Sequence, residues 1–253
     1  MRGHRGSPSV TDQGISAVFF DLDETLIEHR FTPQEIMARV YDAHSEVFNG
    51  VDMTAFGQSL RSSANAMWYM MIDGVLPGEI GRVYMFKNAL RAMELDDSAA
   101  ESMLEVFETT MLEGTRPYSD AHATLGALRE SGIALGIITN GYSAMQRRKI
   151  EHHGFGDCVD HILVSEEVGA HKPDPRIFKE ALSRVKAEPR QAMHVGDHTT
   201  NDIGGAMNAG LAAALYDPAG DRISELRENP DAKEPTHVIA KLSEVLQIAN
   251  HRG

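Results

Sequence analysis

The first apolar run of the chain is Ala17-Val18-Phe19-Phe20, and it stops on Asp21-Leu22-Asp23-Glu24-Thr25. A short unbroken apolar run reads as a buried strand. From about residue 31 the apolar spacing becomes helical, and it stays so to about 112. Thr32-Pro33-Gln34-Glu35 combines an N-cap, a proline at the first helical position and a Glu that closes a capping box. Ile36, Met37, Val40, Tyr41, Val47 and Phe48 follow on one face, and Asn49-Gly50 is the expected stop. A second helix is predicted to hold Phe56, Leu60, Met67, Trp68 and Met71, and a third Ile80, Val83, Phe86, Leu90 and Met93. Ser98 with Glu101 predicts another capping box, opening a helix with Leu104, Phe107 and Met111. Residues 31–113 thus predict an all-helical unit of about four helices.

After Pro117 the pattern alternates between helix and strand. Helices are predicted over Ser119–Glu130, with Gly132 as stop, over Ser143–His152, from the Asp174-Pro175 cap, and over Asp202–Ala209 and Leu242–Ile248. Strands are predicted over Ile133–Ile138, His161–Val164, Ala192–Val195, Leu211–Tyr216 and Thr236–Ile239. Such alternation implies an α/β fold, a Rossmann-like doubly wound parallel sheet covered by helices on both faces. The expected division is a flexible tail at 1–14, an α/β core at 15–30 and 114–253, and the helical insert between them. Asp217 to Pro235 is polar and reads as a surface loop with a short helix.

Composition narrows the partners. The 253 residues carry a formal net charge of -13. That balance argues against nucleic-acid polymers and anionic membranes, which bind concentrated Lys and Arg. A small anionic substrate needs only a local positive pocket. No run approaches the roughly 20 apolar residues of a membrane helix, and the first fourteen residues lack the apolar stretch of a signal peptide. The single cysteine, Cys158, cannot form an internal disulfide, which fits a cytoplasmic location.

Ligands of an open parallel sheet bind beyond the carboxyl ends of its strands. Four such ends here carry polar residues. Asp21 and Asp23 end the first strand and point to the same side, while Leu22 between them points into the protein. Paired acids resist ionising unless a cation or a proton sits between them, which suits metal-assisted chemistry. The second end is Thr139-Asn140-Gly141. Lys172 follows the third strand in His171-Lys172-Pro173-Asp174-Pro175, and the fourth end is Val195-Gly196-Asp197-His198-Thr199-Thr200-Asn201-Asp202.

In this order the residues resemble the four motifs of the haloacid dehalogenase superfamily, whose phosphatases carry Asp-x-Asp-x-Thr, a Thr or Ser, a Lys, and Gly-Asp followed by another Asp. Phe-Asp-Leu-Asp-Glu-Thr-Leu and Lys-Pro-Asp-Pro-x-Ile-Phe are similar as well, and the likeness runs from residue 15 to about 216. The helical insert resembles the family's cap. The resemblance implies a Mg²⁺-dependent phosphoric monoester hydrolase acting on a small phosphorylated metabolite. Asp21 would be the nucleophile that forms an aspartyl-phosphate. Asp23 would protonate the leaving alcohol and later take a proton from water. Asp21, Asp197, Asp202 and the backbone carbonyl of Asp23 would serve the metal, Asp202 as ligand or orienter. Thr139, Asn140 and Gly141 would hold phosphoryl oxygens, and Lys172 would balance charge. The alternatives are a haloacid dehalogenase proper, in which Asp23 has no role, a sugar phosphomutase, and a catalytically silent binding protein on the same fold.

The cap would select the substrate. Trp68, Arg61, Arg82 and Lys87 are its candidates to face the site, and the cap's joints are expected near 27–31 and 113–118. Nine of the thirteen methionines fall in the insert, where they read as an adaptable core. The histidines show no metal-ligand spacing, and His198 has no assigned role.

Overall fold

A computed structural model describes residues 14–48, 50–72, 75–228 and 232–250. The tail expected at 1–14 lies outside them except for Gly14, as does the predicted helix stop Asn49. The strands are β1 (Ala17–Phe20), β2 (Ile27–His29), β3 (Thr115–Pro117), β4 (Ala134–Thr139), β5 (His161–Val164), β6 (Ala192–Gly196), β7 (Ala212–Tyr216) and β8 (His237–Ile239). Six of them form a parallel sheet in the order β5-β4-β1-β6-β7-β8. Around it lie α6 (Ala121–Glu130), α7 (Ser143–His152), the single turn α8 (Ser165–Val168), α9 (Pro175–Val185), α10 (Gly205–Asn208), α11 (Arg222–Glu228) and α12 (Glu244–Asn250), while α1 to α5 belong to the insert.

The unbroken apolar run of β1 is explained by helices on both faces. Val18 and Phe20 pack with Leu125 and Leu128 of α6 and Val245 of α12. Ala17 and Phe19 pack on the other face with Ile177, Phe178 and Leu182 of α9 and Ala206 of α10. Because β1 lies between β4 and β6, Asp21, Thr139 and Asp197 leave neighbouring strands at the same sheet edge.

The insert comprises α1 (Pro33–Ala43), a short α2 (Ser45–Phe48), α3 (Met53–Ile72), α4 (Gly78–Ala92) and α5 (Ala100–Glu113). Val40, Phe48, Phe56, Phe86, Leu90 and Met103 form its core. The capping box of α1 is made in full, with Glu35 N–H donating to Thr32 Oγ1 and Thr32 N–H to Glu35 Oε2. That helix closes at His44, before the expected stop, because the His44 ring reaches back to Val40 O. The second capping box is not made. Ser98 donates its N–H and hydroxyl to Asp96, a local turn that removes it as a cap, and α5 begins only at Ala100. Ile80, expected inward, is exposed.

Two features that shape the surroundings of the site were not predicted. β2 and β3 pair antiparallel at the expected joints, Ile27 opposite Pro117 and His29 opposite Thr115, so a ribbon leads into and out of the insert. The helix expected at Asp202 starts earlier, as a wide π-helical turn over Thr199–Gly204 that precedes α10. His198 caps that turn, its Nδ1 accepting the N–H groups of Thr200 and Asn201. This gives His198 a structural role.

Candidate active site

The acidic motif is shaped by its own backbone. Asp21 N–H extends the sheet by donating to Val195 O at 2.9 Å. The Leu22 carbonyl then accepts from Leu26 and Ile27 at 2.9 and 3.0 Å, a single helical turn that sends the chain into β2. Leu22 is buried in the core, leaving Asp21 and Asp23 at the site.

Lys172 organises the floor. Its buried ammonium donates to Asp21 Oδ1 at 2.7 Å, Asp202 Oδ1 at 2.6 Å and Ile138 O at 2.9 Å, which uses all three of its protons. Burial disfavours its charge, but Asp202 and then Asp21 outweigh burial and hold the ammonium above the ordinary lysine range. Burial drives the Asp21 carboxyl well above the ordinary carboxylate range; Lys172 pulls it down, while Asp202 and Asp23 add to the rise. Asp202 is fully buried, yet the charge of Lys172 and the hydrogen bond from His194 keep it well below that range. His194 Nε2 lies 2.8 Å from Asp202 Oδ1, and burial pushes the ring down so that it donates as a neutral imidazole. Asp202 Oδ2 accepts from His198 N–H at 3.0 Å. Gly196 is needed here for close approach: a Cβ on it would lie 2.3 Å from Asp202 Cγ.

Asp21, Asp197 and Asp202 offer carboxylate oxygens within 4.8 Å of one another. Burial and the neighbouring Asp202 raise Asp197 to about 6, against the pull of Arg222. Burial is the main cause of both rises, and three hard oxygen donors within this reach suit a small divalent cation.

Asp23 is held apart from that cluster by three donors. His29 Nε2 and Lys149 Nζ each lie 2.7 Å from its Oδ1, and Gln146 Nε2 lies 2.7 Å from its Oδ2. Burial raises its carboxyl, but the hydrogen bond from His29 and the charge of Lys149 outweigh that and hold it well below the ordinary range. Gln146 also donates to Thr139 Oγ1 at 2.6 Å.

A family profile described as haloacid dehalogenase-like hydrolase matches residues 15–210. The chain belongs to the haloacid dehalogenase-like hydrolases. Among curated relatives, the pyrimidine 5'-nucleotidase YjjG of Escherichia coli is 30% identical over 91% of this chain and 96% of its own length. The ribulose-1,5-bisphosphate 5-phosphatase of Halopiger xanaduensis is 29% identical over 93% and 99%. Among solved structures, the 2-haloacid dehalogenase of Pseudomonas syringae pv. Tomato superposes with a TM-score of 0.71 at 28% identity, over 92% of this chain and 97% of that one. The HAD phosphatase of Thermococcus onnurineus gives 0.65 at 26% identity, over 93% and 98%.

Within this hydrolase the structure brings Asp21, Thr139, Lys172, Asp197 and Asp202 to one sheet edge, with Asp23 beside them. Two expected phosphate contacts are otherwise engaged. The Asn140 carboxamide exchanges hydrogen bonds with the Lys172 backbone, at 3.0 and 2.9 Å. Gly141 N–H donates to Ser165 Oγ at 3.0 Å. Asn140 therefore ties the second motif to the third.

Of the insert's candidates, Trp68 meets the core hydrolase fold, edge-on to Tyr142 at 5.6 Å and His171 at 5.2 Å. Arg82 lies over Tyr142 and pairs with Glu108. The other two contact residues of the insert itself. Arg61 lines a cavity of about 590 Å³ within the bundle, beside Met37, Met53 and Phe107, and Lys87 lies over Tyr84.

Sequence reasoning missed His29, Gln146, Lys149, His194 and Arg222. A signal existed for two of them: Gln146 and Lys149 are spaced three apart on the inward face of α7, among Met145 and Ile150. Arg222 comes from the stretch read as a surface loop. Buried Asp217 folds that loop by accepting N–H groups of Gly220 and Ile223, and Arg222 then reaches Asp197 Oδ2 at 3.1 Å. The other three answer to tertiary neighbours alone.

Proposed function

We propose that this protein is a Mg²⁺-dependent phosphatase that hydrolyses an alkyl phosphate monoester of a small metabolite through an aspartyl-phosphate. The reading is carried by Asp23. Its carboxylate is fixed by His29, Gln146 and Lys149 beside, and apart from, the acid cluster that contains Asp21. A dehalogenase that attacks carbon expels a halide, which leaves without a proton, so its first step needs no proton donor at this place. Curated relatives named for phosphatase activity on glyceraldehyde 3-phosphate and phosphoserine support the same class of substrate.

In this reading the dianionic substrate entering beside Asp23 opposes its ionisation, so Asp23 takes up a proton from solvent; Asp21 then attacks phosphorus, the bond from phosphorus to the ester oxygen breaks, and Asp23 gives that oxygen the proton. Asp23 then takes a proton from water as the water attacks the aspartyl-phosphate, and the bond to Asp21 breaks to free inorganic phosphate. Thr139 holds a phosphoryl oxygen through its hydroxyl. Lys172 keeps Asp21 oriented and offsets its charge. Asp21 and Asp197 would hold Mg²⁺, with Asp202 orienting Lys172 beside them. The ion, when bound, neutralises charge on the phosphoryl oxygens. Trp68, Tyr142 and His171 would border the leaving group.

The test is phosphate release from p-nitrophenyl phosphate and a panel of phosphorylated metabolites. Release should require Mg²⁺ and stop with EDTA or with Asp21→Asn. Full activity in chelator, or in Asp21→Asn, would overturn the reading.

A further inference from the structure

Helix α7 begins directly after Thr139-Asn140-Gly141-Tyr142, and its first turn places Gln146 beneath that loop. Gln146 is 3% exposed. The loop is shaped around it. Gly141 has φ +145, open only to glycine, and a Cβ there would meet Gln146 Cγ and Cδ at 3.0 Å. In this seat the amide nitrogen lies 2.7 Å from Asp23 Oδ2 and 2.6 Å from Thr139 Oγ1. A carboxamide nitrogen has two protons, and each is given to one of these groups.

We infer that Gln146 is a positioning residue that sets Asp23 against the ester oxygen of a substrate held by Thr139. His29 and Lys149 hold only Oδ1 of Asp23. Gln146 holds the other oxygen and links it to the phosphoryl-binding hydroxyl, so the distance between proton donor and phosphoryl group is fixed through one rigid amide. The donated proton also occupies a lone pair of Thr139 Oγ1. The hydroxyl hydrogen of Thr139, which makes only a long contact of 3.5 Å to Asn140 O, is thereby free to turn to a phosphoryl oxygen. Misplacing a reacting group by about 1 Å costs on the order of 100-fold in rate. The inference rests on the phosphatase reading and adds to it a residue outside the four motifs.

The leaving group separates this role from a structural one. A p-nitrophenolate departs without a proton, whereas the alkoxide of phosphoserine or glycerol phosphate must be protonated as it leaves. First-turnover release of both leaving groups is measured by rapid quench for wild type, Gln146→Met and Gln146→Glu. We expect the alkyl ester to slow by about 100-fold and the aryl ester by less than about 10-fold. A lower folded fraction reduces the amplitude of the first turnover and leaves its rate constant unchanged, so poor folding does not imitate the result. Equal slowing of both esters, or no slowing, overturns the role of Gln146 while leaving the phosphatase reading intact. A wild type inactive on both esters with Mg²⁺ overturns the reading and this inference together.

Discussion

The ammonium of Lys149 lies 2.7 Å from Asp23 Oδ1, on a side chain only 4% exposed. A buried cation beside this carboxylate fixes where it points and stabilises its ionised form. Asp23 is held below its ordinary range, so its pairing stabilises the fold above that range and the contribution is lost as pH falls. Lys149→Met should therefore cost about 1–3 kcal/mol at neutral pH, measured by urea unfolding, and less at acidic pH. The acidic limb of its rate profile should also move to higher pH. A cost that does not change with pH would count against the pairing.

The value of about 6 for Asp197 sets a second expectation. Below it the carboxyl is protonated and a proton must leave before a cation is bound. The rise in Tm produced by Mg²⁺ should be large at pH 7.5 and should shrink as pH falls through about 6. Without metal the sign reverses. The folded protein binds this proton more tightly than the unfolded chain, so its contribution to stability falls as pH rises through the same range. Differential scanning fluorimetry with and without Mg²⁺ reads both trends.

Gly196→Ala is expected to destabilise by about 1–3 kcal/mol, since its new Cβ would overlap Asp202. Asp202 holds Lys172 and His194, so turnover should fall with stability. Denaturant unfolding and p-nitrophenyl phosphate assays of one preparation test the pair of effects. Loss of neither would show that the strand end has room to move.

Trp68 packs its edge on Tyr142 and His171, where the insert meets the loops of the second and third motifs. Trp68→Ala should raise KM for the preferred metabolite at least about 10-fold, the scale of a lost apolar contact. Turnover of p-nitrophenyl phosphate should change less. A preference profile identical to wild type would remove Trp68 from substrate selection.

Much of the framework was legible along the chain. The apolar runs of β1, β4 and β6 and the Asp174-Pro175 cap need only local patterns, because strand burial and helix capping are properties of neighbouring residues. The β2–β3 ribbon was not legible: three-residue strands carry too little pattern to register. Ser98 misled because a nearer carboxylate, Asp96, competed for its hydrogen bonds. Within the site, Asp21, Asp23, Thr139, Lys172, Asp197 and Asp202 announced themselves by lying at strand ends. Their partners did not, since His29 and Lys149 meet Asp23 only after separate elements have packed.

The sequence by itself determined the parallel sheet, the helical insert after its first strand, and the acids, hydroxyl and lysine that gather at one edge. It could do so because alternation, capping and strand ends are read within a few residues. Only the tertiary structure decided how each acid is held. Lys172 and His194 converge on Asp202, Arg222 folds back onto Asp197, and Gln146 joins Asp23 to Thr139. Those contacts span up to 123 residues of chain, and burial then multiplies their electrostatic effect. No local pattern encodes either the meeting or the burial.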